Sequence, residues 1–158
     1  MEPKRVVITG MGVISSVGQD VDTFWKNLCS GYCGIDYVEE FKDMPVTFAG
    51  KVKDFDAEKF GMEKPFIRKQ DNFTLYAMAA AWQAMQQSGL VTEGENSNID
   101  PFRLGVYVGS GIGGFDVQYR ETLKMIEDPT GKWISPLFIA TMISNIAAGH
   151  TKNGFSRG

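Results

Sequence analysis

The sequence is poor in the residues that most often carry metal and nucleophile chemistry. Among 158 residues there is one histidine, His150, and only two cysteines, Cys29 and Cys33. A single Cys-x-x-x-Cys pair with one histidine cannot supply the four ligands of an ordinary zinc site, so no metal is expected and both thiols read as reduced and structural. The same shortage excludes a catalytic cysteine or serine flanked by two histidines. Positive charge is not in excess either: 16 Lys and Arg stand against 19 Asp and Glu, a net charge of −3, which argues against a nucleic-acid partner. Long apolar runs are missing. After Lys4 and Arg5 the first apolar run is broken by Gly10 and Gly12, so neither a secretory signal nor a membrane span is expected, and the location is read as cytoplasmic. Tandem repeats and low-complexity tracts are absent as well.

What is present is ordinary for a globular chain, with 43% hydrophobic and 22% charged residues, and the length fits one domain with a sizeable core. Residues 5–9 are a β-branched run that predicts a strand, followed by a glycine-bearing loop over 10–18. Asp20 is a good helix cap, and Val21, Phe24, Trp25 and Leu28 then recur on one helical face, with Gly31 or Gly34 as the stop. Residues 36–60 read as an excursion with one short strand near Phe48 to Val52. Lys64, Arg68 and Lys69 gather three positive charges ahead of Asp71, which is placed to cap the next helix. That helix, over 72–88, carries a stripe of mostly small residues (Ala77, Ala80, Ala81, Ala84) that permits close approach of another backbone, and Gly89 ends it. Thr92 to Asp100 reads as a surface loop.

The stretch around which the chain is organised is Leu104 to Gly114. Val106, Tyr107 and Val108 predict a strand covered on both faces, and Gly109, Gly111, Gly113 and Gly114 then allow positive φ or the close approach of a ligand or backbone. A helix over 116–127 follows, with Val117, Tyr119, Leu123 and Ile126. Ser135-Pro136 then reads as the cap and first position of an apolar helix over 137–149. The alternation of strands and helices is an α/β pattern. The glycine loop also meets part of a dinucleotide-binding fingerprint. Glu127 and Asp128 stand near the spacing of its acidic residue, but at a helix end beside Pro129, where they cannot serve as the ribose ligand. An independent nucleotide-binding α/β domain is therefore the weaker rival reading.

Several segments taken together resemble one family, the type II β-ketoacyl-acyl carrier protein synthases, in the family's own order. They are Arg5 to Gly18, Phe24-Trp25-Lys26, Gly31 to Ile35, Phe48-Ala49-Gly50 with Val52 to Phe55, Arg68-Lys69-x-Asp71-x-Phe73, Gly109 to Gly114, and Ile134 to Phe138 through Asn145 and Ala148-Gly149-His150. The resemblance implies the N-terminal part of a thiolase-like fold, layered α-β-α-β-α and incomplete here, from a family that works as a homodimer. It also implies a decarboxylative Claisen condensation of acyl and malonyl groups delivered by acyl carrier protein. No cofactor is implied, the substrates riding on the carrier's phosphopantetheine. Ile112 matches the family's gate at the acyl pocket, Phe138 and Ile139 match positions lining the acyl pocket of the partner subunit, and Lys64, Arg68 and Lys69 match the patch that docks the acidic carrier. The departure is chemical: the family's nucleophilic cysteine and two histidines have no counterpart here, and His150 is not one of that pair but a histidine at a helix C-terminus. No catalytic residue is assigned, and the chain alone is expected to be inactive. The tail from Thr151 to Gly158 is more polar than the family's segment there. A non-catalytic partner or chain-length subunit of the same family is the alternative.

Overall fold

The computed structural model describes residues 4–92 and 97–155. The described residues gather into two compact units, one from Met1–Asp56 with Ala79–Gly89 and the other from Ala57–Met78 with Leu90–Gly158. Helix α3, Asn72–Ser88, starts among the residues of the second unit and ends among those of the first.

In the first unit, helix α1 spans Val21–Cys29 as its periodicity predicts. Asp20 is extended and its carboxylate accepts the Thr23 N–H at 2.8 Å, satisfying one of the donors that a helix start leaves unpaired and drawing the Asp20 carboxyl below its ordinary pKa. Gly31, at φ +73°, takes the left-handed turn after the helix. The excursion that follows is a minimal antiparallel pair, β1 (Asp36–Tyr37) against β2 (Phe48–Ala49), with Asp36 opposite Ala49 and Tyr37 opposite Phe48. The strand predicted to reach Val52 stops at Ala49.

The chain at Gly10 and Gly12 lies on the second half of α3. A Cβ on Gly10 would stand 1.9 Å from the Ala84 carbonyl oxygen, and one on Gly12 would stand 1.9 Å from that of Ala80. The small-residue stripe of α3 thus meets a backbone with no side chain of its own at the points of contact. The Gln83 amide completes the junction. Its Oε1 accepts the Val13 N–H at 3.2 Å, and its Nε2 donates to the carbonyls of Val13 (3.2 Å) and Gln19 (2.8 Å).

The second unit holds α2 (Lys64–Ile67), the start of α3, α4 (Phe115–Glu127), α5 (Phe138–Met142) and α6 (Ile146–Phe155). Leu75 and Thr74 of α3, Val117 of α4, Thr141 of α5 and Ala147 of α6 are buried.

Four expectations change. Residues 5–9 and 104–110 are not strands: among the described residues neither segment is paired into a sheet. Val6 and Tyr107 are 94% and 98% exposed, so 104–110 is not covered on both faces. Its burial alternates instead, with Leu104, Val106 and Val108 half-buried and Gly105, Tyr107 and Gly109 exposed. A β-branched run supplies the extended backbone, but a strand also needs a hydrogen-bonding neighbour, and among the described residues neither run has one. The single apolar helix over 137–149 is two helices, because Ile143 leaves the helical region at ψ 137°. Ser135 does not cap it directly: α5 begins after Leu137, whose N–H is taken by Ser135 Oγ at 3.2 Å. Finally, α6 continues to Phe155, so His150 stands in mid-helix rather than at a C-terminus. The surface loop predicted at Thr92–Asp100 falls in part on residues 93–96, and the polar tail in part on 156–158, both outside the described residues. Among the described residues no helix is long and apolar enough to cross a membrane.

Candidate functional site

Every residue proposed for a site from the sequence belongs to the second unit. Lys64 opens α2, and Arg68 and Lys69 follow it directly. All three side chains are exposed. Lys64 makes a loose pair with Glu58 at 3.5 Å, while among the described residues no ion pair engages Arg68 or Lys69. Two cations are therefore free to meet an acidic partner.

The glycine loop is more specialised than its composition suggests. Of its four glycines only Gly113 has positive φ, at +84°, and a Cβ there would come within 2.4 Å of the Met142 carbonyl oxygen. Gly114 donates its N–H to the same oxygen at 2.8 Å. The loop is thus docked by backbone onto the last residue of α5, and a side chain at 113 or 114 would part them. Gly109 and Gly111 meet nothing within 4 Å of a built Cβ. Ser110 Oγ accepts the Gly113 N–H at 3.0 Å and closes the turn. Ile112 projects from it 69% exposed. Phe138 is half-buried and Ile139 is 58% exposed, both in the first turn of α5. The structure therefore joins the loop to the helix through Gly113, Gly114 and Met142, while Ile112 and Ile139 remain largely in solvent.

Two buried carboxylates, neither proposed for the site from the sequence, hold this arrangement. Asp71, read only as a cap for α3, does accept the Phe73 N–H (3.3 Å), but its second oxygen accepts the Val117 N–H of α4 at 3.1 Å. It is 6% exposed. This fixes α4 to α3 and places a negative charge at a helix N-terminus, where the dipole favours it. An amide that a nucleotide phosphate would need is thereby already bonded, which weighs against the dinucleotide reading. Glu121 is 5% exposed. It accepts Lys124 Nζ at 2.6 Å and the Ser135 N–H at 2.7 Å, and these two donors, the lysine foremost, hold its carboxyl below the ordinary range. Ser135 in turn receives the Leu137 and Phe138 N–H groups at 3.2 and 3.0 Å. Glu121 thus sets where α5 begins. The signal for it lay in the sequence, as a charge four residues after Val117 on the same helical face. Nothing local pointed from Asp71 to Val117, 46 residues away.

On α4 the predicted apolar face is also redistributed. Val117 is buried, whereas Phe115, Tyr119, Leu123 and Ile126 are exposed. Among the described residues no cluster of three His, Cys, Asp or Glu side chains could hold a metal ion.

The family model described as the N-terminal domain of β-ketoacyl synthase matches residues 3–155. The 3-oxoacyl-[acyl-carrier-protein] synthase 2 of Vibrio cholerae is 41% identical over 152 residues, covering 95% of this chain. The chain spans about a third of the length of the curated relatives it matches, 35% in that case. Among solved structures, a type II polyketide ketosynthase in complex with its acyl-carrier protein aligns over 98% of this chain and 41% of its own, at TM-score 0.74 and 25% identity. A β-ketoacyl synthase from Burkholderia phymatum aligns over 97% of this chain and 37% of its own, at TM-score 0.77 and 22% identity.

Proposed function

The chain belongs to the β-ketoacyl synthase family, as a match to its N-terminal domain, and from that premise we propose that it is the N-terminal segment of a 3-oxoacyl-[acyl-carrier-protein] synthase of fatty acid synthesis. The reaction is a decarboxylative Claisen condensation. A thiolate displaces the carrier's thiol and takes the acyl group as a thioester. Malonyl-carrier protein loses carbon dioxide, and the carbanion so formed attacks the acyl carbonyl, releasing the thiolate. These 158 residues supply no such thiolate. Their part is to recognise the carrier and to form one wall of the acyl pocket.

The observation that carries this reading is the α2 region, where Arg68 and Lys69 stand exposed and free of ion pairs among the described residues, beside the exposed Lys64. The partner is an acyl carrier protein, and steering by these charges raises the encounter rate more than the final affinity. Ile112 is the gate, and Phe138 with Ile139 lines the pocket of a second copy. A homodimer fits the exposed stripe Phe115, Tyr119, Leu123 and Ile126 on α4, since contiguous exposed apolar surface marks a protein contact. No resident cofactor is required, because the acyl groups arrive on phosphopantetheine, and a cytoplasmic location goes with that supply. Titration of an acyl carrier protein onto the chain tests the proposal. Arg68→Glu is expected to weaken binding at low salt and to lose its effect as salt rises. Equal affinities of the two chains at low salt would remove the docking assignment.

A further inference from the structure

We propose, on the basis of the docking reading above, that His150 is a positioning residue for carrier recognition, holding the cations of α2 in place through its ring contact with Phe66. Helix α2 is a single turn of four residues, and its cap residue Glu63 contributes no side-chain hydrogen bond. One turn cannot sustain itself in water, so its geometry must come from a tertiary contact. Phe66 makes that contact: its ring meets the His150 imidazole edge to face, with centroids 5.0 Å apart and planes at 86°, the arrangement aromatic quadrupoles favour.

The two rings stand where they can act on the charged patch. Phe66 lies between Lys64 and Arg68, and the backbone ties all three positions together, with Arg68 N donating to the Lys64 carbonyl at 3.1 Å and Lys69 N to that of Phe66 at 2.9 Å. Moving Phe66 therefore moves both free cations. His150 is itself well placed as an anchor. It sits in the middle of the ten-residue α6, half-buried, beside the buried Thr151 and three residues after the buried Ala147. Burial pushes its pKa below the ordinary 6.5, which favours the neutral ring beside Lys64 of α2, Arg68 and Lys69 just after it, and Lys152 on its own helix.

The test is calorimetric titration of a phosphopantetheine-bearing acyl carrier protein onto the chain at pH 8 and low salt, with thermal melting of each variant. His150→Ala is expected to weaken binding roughly fivefold, the scale an edge-on aromatic pair supports. His150→Phe, which keeps a ring, is expected to restore it. Unchanged affinity in His150→Ala while Arg68→Glu binds poorly would overturn the anchoring role and leave the docking surface standing. No loss in Arg68→Glu would remove the docking surface and this inference with it. Failure of His150→Phe to restore binding would also overturn it, because the ring contact would then not be the cause. Should His150→Ala not fold, Phe66→Leu removes the other ring while keeping its bulk, and unchanged affinity there would equally count against the proposal.

Discussion

The two units are fastened by different chemistry. In the first, the junction with α3 is made by neutral groups, two glycines lying on Ala80 and Ala84 and the Gln83 amide bridging to Val13 and Gln19, while its charged contacts, the Asp20 cap and the pairs Lys51–Glu40 and Lys53–Asp36, are exposed. In the second, buried carboxylates accept main-chain N–H groups, Asp71 at the start of α4 and Glu121 at the approach to α5. Fitted backbones tolerate no added volume but do not respond to pH. Carboxylates tolerate small changes in shape and fail when they are protonated. The comparison teaches that the unit carrying the candidate site is the one whose junctions rest on buried charge.

The largest expected effect breaks the first kind of fastening. Gly12→Val would drive a branched side chain into the Ala80 carbonyl, at a cost of about 3 kcal/mol, the upper part of the range for overpacking. A large fall in the urea midpoint checks it, and an unchanged midpoint would mean that the segment does not lie on α3. Asp71→Ala comes next. It leaves the N–H groups of Phe73 and Val117 without their acceptor, the latter buried, and should cost about 2 kcal/mol by the same measurement.

The contrast in pH response is sharper, though smaller. The Glu121 carboxyl is held below its ordinary value of 4.5, so the stability it lends is fully present above about pH 4.5 and is lost as pH falls through the lower folded value. Glu121→Gln should therefore flatten the acid limb of stability against pH. Gln83→Ala should cost about 1 kcal/mol, equally at neutral pH and at a pH below the ordinary carboxylate range, where the Glu121 contribution is being lost. Equal acid sensitivity in the chain with and without Glu121 would erase the distinction between the units. The smallest effect is expected at Lys64→Ala. The pair with Glu58 is exposed at 3.5 Å and contributes under about 0.5 kcal/mol, so the melting temperature should hold while carrier affinity falls.

How much of this was legible beforehand depends on the range of the interaction. The Asp20 cap, helix α1, the long α3 ending at Gly89 (φ +67°) and the extent of α4 follow from neighbours within a few residues, and the sequence pattern finds them. The break at Ile143 was not visible, because an apolar run has the same periodic appearance whether it is one helix or two. The site divides in the same way. Lys64, Arg68 and Lys69 stood out as a charge cluster and lie exposed as expected. Which of the four loop glycines are needed could not be read, since that depends on Met142, nearly thirty residues on.

The order of segments in the chain was enough by itself to identify the family by resemblance, and capping, periodicity and glycine stops, which act locally and are written in adjacent residues, were enough to place α1, α3 and α4. Tertiary structure alone decided that Asp71 bonds to α4, that Glu121 sets the start of α5 and that His150 meets Phe66. Each of these joins residues brought together only by folding, and a buried charge or ring takes its meaning from the group that folding places opposite it.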